Sequence, residues 1–190
     1  MFEVLFTHIQ EKVALTDSDK EKIKSYFKPK KLRKRQYLLQ EGEVCRKLTF
    51  ISKGLLKSYS LDDKGVEHIN IFGFEGWWIS DFRSFICGEA SVLNIEAIED
   101  SELLLIARAP YEEMILKVPV MERYFRLLYQ NSLVTKEGRL LVNNMYSAEE
   151  KYRNLLRDCP QMMQRIPQNL LASYLGMKPE TFSRIKKNIS

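Results

Sequence analysis

The chain has 190 residues, of which 45% are hydrophobic, and a formal net charge of +5. This length allows one ordinary domain and a small one, and the apolar content excludes a mainly disordered chain. No run of about 18 apolar residues predicts a transmembrane helix, and the first residues lack the basic start and apolar middle of a signal peptide. We therefore expect a cytoplasmic protein with no membrane partner.

The cysteines and histidines are too few and too scattered for a metal centre. Cys45, Cys87 and Cys159 lie far apart without a CxxC pair, and His8 and His68 are the only histidines. An odd, sparse set of cysteines indicates free thiols in a reducing compartment rather than a disulfide framework. A cupin-type enzyme would need several histidines and a carboxylate at one metal. We find no nucleophile–base pair, and expect no metal, no cofactor, no catalytic residues and no enzyme activity.

The chain begins with helical patterns. Residues 1–15 are weakly helical. Ser18 and Glu21 have the spacing of a capping box, which predicts a second helix with Ile23 on its apolar face. Pro29 is expected to end this helix.

Between Leu32 and Ala107 the pattern changes to short β-rich runs separated by turn residues. Asp62-Asp63-Lys64-Gly65 is typical of a hairpin turn. Such short strands at this spacing favour a β-barrel or jelly roll over a βαβ fold. The predicted strands are Gln36–Leu39, Leu48–Ser52, Leu55–Leu61, His68–Phe74, Val92–Ile98 and Leu103–Ala107.

A long helix is predicted from Val120 to about Asn144. An apolar stripe of this length usually meets a partner helix, and we interpret it as a dimer interface. Packing of the helix on its own barrel is the alternative, since Asn131, Lys136 and Gly138 interrupt the heptads. The stripe comprises Met121, Tyr124, Leu127, Leu128, Val134, Leu141, Val142 and Met145.

The residues from 166 to 189 carry the most specific pattern. Ala172 is a small residue where a second helix could cross closely, and Gly176, four residues later, suits a left-handed turn. Pro179 suits a helix start, and Phe182 and Ile185 would then point back to the first helix. This spacing is typical of a helix-turn-helix. A helix from Ala148 to Arg157 and a break at Cys159-Pro160 precede it, and Pro167 is expected in the first turn of its first helix.

The C-terminal region also concentrates positive charge. Residues 148–190 hold eight basic and four acidic side chains, a net charge of +4, against +1 for the rest of the chain. A local positive excess is where a polyanion would bind. Arginine can pair with guanine and glutamate can accept from cytosine, so the outward face of the second helix could read base edges. The predicted DNA-binding residues are Gln168, Lys178, Glu180, Thr181, Ser183, Arg184 and Lys187.

These patterns together resemble the cyclic-AMP receptor protein / fumarate-nitrate regulator (Crp/Fnr) family over nearly the whole chain. The resemblance lies in the segments Leu39–Glu43, Phe50–Gly54, Phe74–Gly76, Ile95–Leu103 and Lys178–Ile185. In this family Glu180 and Arg184 would fall at base-contacting positions, whereas Pro179 replaces a residue that is often basic.

The resemblance implies an α+β fold in three parts. These are a cyclic-nucleotide-binding-like jelly-roll sensor domain with N-terminal helices (1–118), a dimerisation helix (119–146) and a helix-turn-helix domain without a β-wing (147–190).

The ligand cassette departs from the family pattern. The turn that holds a ribose hydroxyl reads Ser80-Asp81-Phe82, and the pair that holds a cyclic phosphate reads Ser91-Val92, without the arginine. Serine cannot supply the bidentate, charge-assisted contact that a phosphate takes from arginine. The helix pair that meets adenine would be Lys136-Glu137, which does not match. The oxygen sensors' cysteine cluster is also absent. Cyclic AMP is disfavoured and the effector stays unknown. Its pocket would be lined by Trp78, Asp81, Phe82, Arg83, Ser91, Val92 and Lys136.

The sequence therefore predicts a homodimeric bacterial transcription regulator that couples an effector-sensing barrel to a helix-turn-helix on a palindromic operator in double-stranded DNA. RNA polymerase is a further candidate partner that the resemblance implies. The alternative is a cyclic-nucleotide-binding-like sensor or interaction module that does not bind DNA. The steep salt dependence of DNA binding would separate the two.

Overall fold

The computed structural model describes residues 1–189. Their elements, in chain order, are α1 (Phe2–Gln10), α2 (Asp17–Tyr26), β1 (Lys28–Leu32), β2 (Tyr37–Leu39), β3 (Lys47–Lys53), β4 (Leu56–Leu61), β5 (Glu67–Gly73), α3 (Phe82–Cys87), β6 (Asn94–Ala97), β7 (Ser101–Ala107), α4 (Arg108–Lys117), α5 (Val120–Met145), α6 (Ala148–Asp158), α7 (Pro160–Arg165), α8 (Gln168–Tyr174) and α9 (Pro179–Ile189).

Contacts between these elements divide the chain into two units. The sheet unit comprises Met1–Ser60 and Ile71–Tyr129, and the helical unit comprises residues 61–70 and 130–189. The chain passes from one unit to the other within the β4–β5 hairpin and again within α5. The hairpin tip, residues 61–70, therefore belongs to the helical unit.

The strands form a three-stranded sheet of order β1-β7-β3 and a four-stranded sheet of order β2-β6-β4-β5. In the first, β7 pairs antiparallel with both neighbours, with Thr49 opposite Leu105 and Phe50 opposite Leu104. Successive side chains in a strand point to opposite faces, so each of these pairs lies on a different face of the sheet. Predicted strands and observed strands agree closely from β2 to β7.

An aromatic cluster covers the Phe50 face of the three-stranded sheet. The Phe50 ring lies 5.4 Å from Trp78 and 5.7 Å from His8 of α1. The indole Nε1 of Trp78 donates to the Tyr124 hydroxyl at 2.8 Å, and His8 Nδ1 bonds the same hydroxyl at 2.8 Å. Burial raises the pKa of Tyr124. The first turns of α5 are thus fixed in the core of the sheet unit, where burial of large aromatic side chains contributes most stability.

Two helix boundaries differ from the sequence prediction. The capping box lies at Thr16 and Asp19 rather than at Ser18 and Glu21, because Thr16 takes the extended backbone of an N-cap and its hydroxyl accepts from the Asp19 amide at 3.1 Å. Pro29 does not end α2, which stops at Tyr26. It lies in β1, an edge strand, where the missing N–H of proline is tolerated.

Three further features were not anticipated. The short helix α3 begins after Asp81, whose carboxylate accepts from the Ser84 amide at 3.1 Å. Pro160 follows the expected break but also starts α7 at a position where proline is favoured. Pro167 is the N-cap residue of α8 rather than part of its first turn.

Candidate functional site

Helices α8 and α9 are joined by a tight turn at Gly176. Gly176 has a φ of +68°, a conformation that favours glycine. A Cβ built there would meet nothing within 4 Å, so backbone conformation rather than crowding requires glycine. The Met177 amide donates to the Ala172 carbonyl at 3.0 Å, which satisfies the end of α8. The turn sets the direction in which α9 leaves α8.

A small apolar core holds α9 in place against α6 and α8. The rings of Tyr152 on α6 and Phe182 on α9 are 5.3 Å apart at 83°, an edge-to-face arrangement. Phe182 and Ala172 are fully buried and Ile185 is 9% exposed. Phe182 and Ile185 are thus buried, and the ring contact of Phe182 is with Tyr152 of α6.

The opposite face of α9 is polar and open to solvent. Glu180, Ser183, Arg184 and Lys187 are exposed at positions i, i+3, i+4 and i+7, which share one helix face. Within residues 1–189, Arg184 and Lys187 form no ion pair. Two cations are therefore presented on a helix whose other face is fixed by packing.

The remaining predicted DNA-binding residues lie close to this face in the sequence. Lys178 is exposed directly before α9, and its carbonyl accepts from the Phe182 amide at 3.0 Å. Thr181 is half-buried in the first turn of α9. Gln168 is exposed at the first residue of α8. The residues predicted to bind DNA thus lie mainly on the solvent-facing side of α8 and α9.

The apolar stripe on α5 divides into a buried part and an exposed part. Met121 and Tyr124 are fully buried in the core of the sheet unit. Leu127 and Leu128 are partly buried against the same core. The second half of the helix exposes its large apolar side chains, namely Leu133, Val134, Leu140, Leu141 and Met145. The first half of α5 therefore packs on the chain's own core, whereas the second half leaves its apolar side chains uncovered.

The hairpin tip packs against α8 within the helical unit. The Ser173 hydroxyl donates to the Glu67 carbonyl at 2.7 Å and accepts from the Ile69 amide at 3.0 Å. Arg139 donates to the Asn70 carbonyl at 2.6 Å, and its guanidinium lies 4.6 Å from the centre of the Tyr174 ring. Sequence reasoning missed these contacts, because nothing local indicates that residues 69 to 106 positions apart meet.

Asp81 and Ser91, the two ligand-cassette positions at which nucleotide binders hold the ribose and the phosphate, bond to each other. The Ser91 hydroxyl donates to the Asp81 carboxylate at 2.7 Å, and that carboxylate also caps α3. Both residues are buried, at 2% and 7% exposure. A ligand hydroxyl or phosphate would have to displace this internal bond.

The other predicted pocket residues have separate environments. Trp78 lies in the aromatic cluster, and the Phe82 ring lies 4.7 Å from the Tyr129 ring at a tilt of 45°. Arg83 pairs with Glu89, and Val92 is 58% exposed. Lys136 is exposed on the part of α5 that belongs to the helical unit. The structure therefore joins Asp81 with Ser91 and leaves the rest of the predicted set dispersed.

Residues 1–189 contain no cluster of three or more His, Cys, Asp or Glu side chains suited to a metal. Burial raises the pKa of the Cys45 and Cys159 thiols. None of the helices in the same range is long and apolar enough to span a bilayer.

Comparison with known proteins gives concordant matches. Residues 29–117 match the cyclic nucleotide-binding domain family. The fumarate and nitrate reduction regulatory protein of Vibrio cholerae is 26% identical, over 90% of this chain and 72% of that protein. Regulatory protein HlyX of Actinobacillus pleuropneumoniae is 23% identical, over 82% of this chain and 69% of that protein.

Solved structures show the same fold. FixK2 from Bradyrhizobium japonicum superposes with a TM-score of 0.71 at 22% identity, covering 86% of this chain and 84% of FixK2. The catabolite activator protein of Thermus thermophilus gives a TM-score of 0.59 at 19% identity, covering 93% of this chain and 84% of that one. These matches extend over both units.

Proposed function

Because this chain belongs to the Crp/Fnr family of transcription regulators, we propose that it binds double-stranded DNA as a homodimer, with α9 as the recognition helix. The observation that carries this proposal is the polar face of α9. On this face Arg184 and Lys187 form no ion pair within residues 1–189, and the helix is fixed by a packed core.

The side chains on α9 have different parts in this proposal. Arg184 carries a planar guanidinium that suits the two acceptors of guanine in the major groove. Glu180, one turn before it, can accept from cytosine and can sharpen the choice of base. Ser183 and Thr181 can bond bases or phosphates, and Lys187 supplies a charge for phosphate. Gln168 and Lys178, at the starts of their helices, are proposed to contact the phosphate backbone of the DNA.

Dimerisation is proposed through the second half of α5. Val134, Leu141 and Met145 recur at i, i+7 and i+11, which places them on one face of the helix. Leaving side chains of this size in water is costly, and a second copy of α5 would cover them. In this proposal the chain has three parts with the bounds predicted from the sequence: a jelly-roll sensor domain at 1–118, a dimer helix at 119–146 and a DNA-binding domain at 147–190.

The effector is proposed to be a molecule other than cyclic AMP. The supporting observation is the bond between Ser91 and Asp81, which uses the two side chains that a cyclic nucleotide would need. RNA polymerase contact and a cytoplasmic location follow from the proposed role in transcription.

Selection from a pool of randomised DNA duplexes tests the proposal without a known operator. We expect enrichment of a pseudo-palindrome whose half-sites lie roughly 34 Å apart, one helical turn, because a twofold dimer presents two α9 helices. Affinity for the selected duplex should fall steeply with salt concentration. A chain that enriches no sequence and binds duplexes without salt dependence would be a sensor module that does not bind DNA, contrary to the proposal.

A further inference from the structure

The hairpin tip is held against α8 by one serine side chain. The Ser173 hydroxyl donates to the Glu67 carbonyl at 2.7 Å and accepts from the Ile69 amide at 3.0 Å. Both backbone groups belong to β5, which is an edge strand of its sheet, and they are two residues apart, as are the groups that one neighbouring strand would bond. Ser173 therefore bonds the edge of β5 in the manner of a neighbouring strand.

A second side chain joins the same segment to α5. Arg139 donates to the Asn70 carbonyl at 2.6 Å, and its guanidinium lies 4.6 Å from the centre of the Tyr174 ring on α8. An arginine placed over an aromatic ring makes an attractive cation–π contact. Arg139 thus contacts both the hairpin tip and α8. We call Arg139, Ser173 and the hairpin-tip backbone that both of them bond the hairpin clamp.

The hairpin clamp and the exposed apolar side chains lie on different faces of α5. Within residues 131–145, Arg139 and Val142 are the two residues that are partly buried, and a spacing of three places them on one face of the helix. Leu141 is two residues from Arg139, so it does not share that face. The second half of α5 can therefore pair with a partner helix while it holds the hairpin tip.

The covalent connection between α5 and the helices that follow it is short. Tyr146 and Ser147 alone separate α5 from α6, and Ser147 has the extended backbone of an N-cap residue. Each residue contributes two soft backbone dihedral angles, so rotation at these two positions would change the direction of α6 and of α9, which packs on it. The hairpin clamp is a second attachment, made through α8, and it removes this freedom.

From these contacts we infer that Arg139 and Ser173 are positioning residues, which fix the angle between the dimer helix and the recognition helix and thereby the half-site spacing that the dimer accepts. The inference rests on the proposed function, because spacing matters only to a dimer that reads DNA. One added base pair moves a half-site by about 3.4 Å and turns it by about 35° around the duplex. Two rigidly held α9 helices cannot follow that displacement, whereas two loosely held ones can.

Duplexes of altered spacing test the inference. Fluorescence anisotropy compares the selected duplex with versions whose half-sites are one or two base pairs closer together or farther apart. We expect the wild type to lose about tenfold in affinity for each base pair of change, and Arg139→Gln with Ser173→Ala to lose about threefold or less. Both proteins should bind a duplex with a single half-site equally well, because the hairpin clamp includes none of the proposed DNA-contacting side chains.

Two control variants separate positioning from the loss of charge. Arg153→Gln with Ser132→Ala removes a cation and a hydroxyl from exposed positions of the helical unit, and it should keep the wild-type spacing preference. Arg139→Lys keeps the positive charge but not the planar guanidinium, and it should give an intermediate preference. Thermal unfolding of each variant confirms that it is folded.

A measurement without DNA distinguishes failure of this inference from failure of the proposed function. Asn188→Cys places a spin label on an exposed position near the end of α9, in a chain whose three native cysteines are replaced by alanine. The label-to-label distance in the dimer should be narrowly distributed, and clearly broader when Arg139→Gln and Ser173→Ala are added. A wild type that selects no duplex contradicts the proposed function, and the label distances then decide on the hairpin clamp. The inference is overturned if the wild type is monomeric, if the Arg139/Ser173 variant discriminates spacings as sharply as the wild type, or if the two distance distributions are equally wide.

Discussion

Near its start α5 buries Met121 and Tyr124 completely, whereas near its end Leu141 and Met145 expose 60% and 72% of their surface. Both pairs belong to one apolar stripe in the sequence. The first pair fills the core of the sheet unit and bonds its aromatic cluster, and the second pair has no such cover. A single periodic pattern thus spans two environments, and only the structure separates the half that stabilises the fold from the half whose apolar side chains are exposed.

The largest effect should come from a charge in the exposed half. Leu141→Glu would bury a carboxylate at the proposed dimer interface, an expensive change. We expect Leu141→Glu to sediment as a monomer at tens of micromolar. Its unfolding midpoint should be close to that of the wild-type chain at a concentration low enough for the wild type to be monomeric. Ser132→Glu places the same charge on another exposed position of α5 and should remain dimeric. A wild-type chain that is already monomeric at this concentration would contradict the interface.

The matching change in the buried half should alter stability without altering association. Tyr124→Phe removes the hydroxyl that bonds both Trp78 and His8 and leaves their nitrogens without that partner. We expect urea denaturation to show a loss of about 1–3 kcal/mol in the free energy of unfolding, with the dimer intact. Tyr146→Phe, at a position 43% exposed, should change little. If Tyr124→Phe and Tyr146→Phe lower the free energy of unfolding equally, the hydrogen bonds of the Tyr124 hydroxyl contribute nothing to stability.

A smaller effect concerns pH. The pKa of His8 is lowered from its ordinary value of 6.5, first by burial and then by Lys12. The folded chain therefore takes up this proton less readily than the unfolded chain. The free energy of unfolding should decrease as pH is lowered below about 6.5, until His8 is also protonated in the folded state.

Substitution of His8 should isolate this contribution. His8→Gln should flatten the decrease between about pH 7.5 and 5 in urea titrations. His68→Gln, at the exposed hairpin tip, should leave it in place. A steeper decrease in the His8 variant would contradict the assignment.

The sequence predicted best what depends on neighbours along the chain. The turn at Gly176 and the inward direction of Phe182 follow from helical spacing, and the hairpin at Asp62–Gly65 follows from turn chemistry: the Gly65 amide donates to the Asp62 carbonyl at 2.9 Å. The polar segment that forms β1 was not predicted as a strand. An edge strand needs no alternation of apolar and polar residues, and not all of its backbone amides have to be hydrogen-bonded.

What the sequence did not predict depends on residues far apart along the chain. The hydrogen bonds between Ser173 and the hairpin tip join segments that are about 100 residues apart. Likewise, the family pattern marked Asp81 and Ser91 as a ligand pair, and only the structure shows that they bond each other.

The proposed role of α9 in reading DNA is tested most directly by contrasting two side chains that lie three residues apart on its exposed face. Fluorescence anisotropy would compare the wild type with Arg184→Ala and Lys187→Ala, on the selected duplex and on a scrambled one. We predict that Arg184→Ala costs about 1–3 kcal/mol on the selected duplex alone and relaxes the preference at one base pair of each half-site. Lys187→Ala should weaken both duplexes alike and flatten the salt slope by about one unit per monomer. If Arg184→Ala lowers the affinity for both duplexes equally, α9 is a phosphate-binding or merely solvated surface and not a recognition helix.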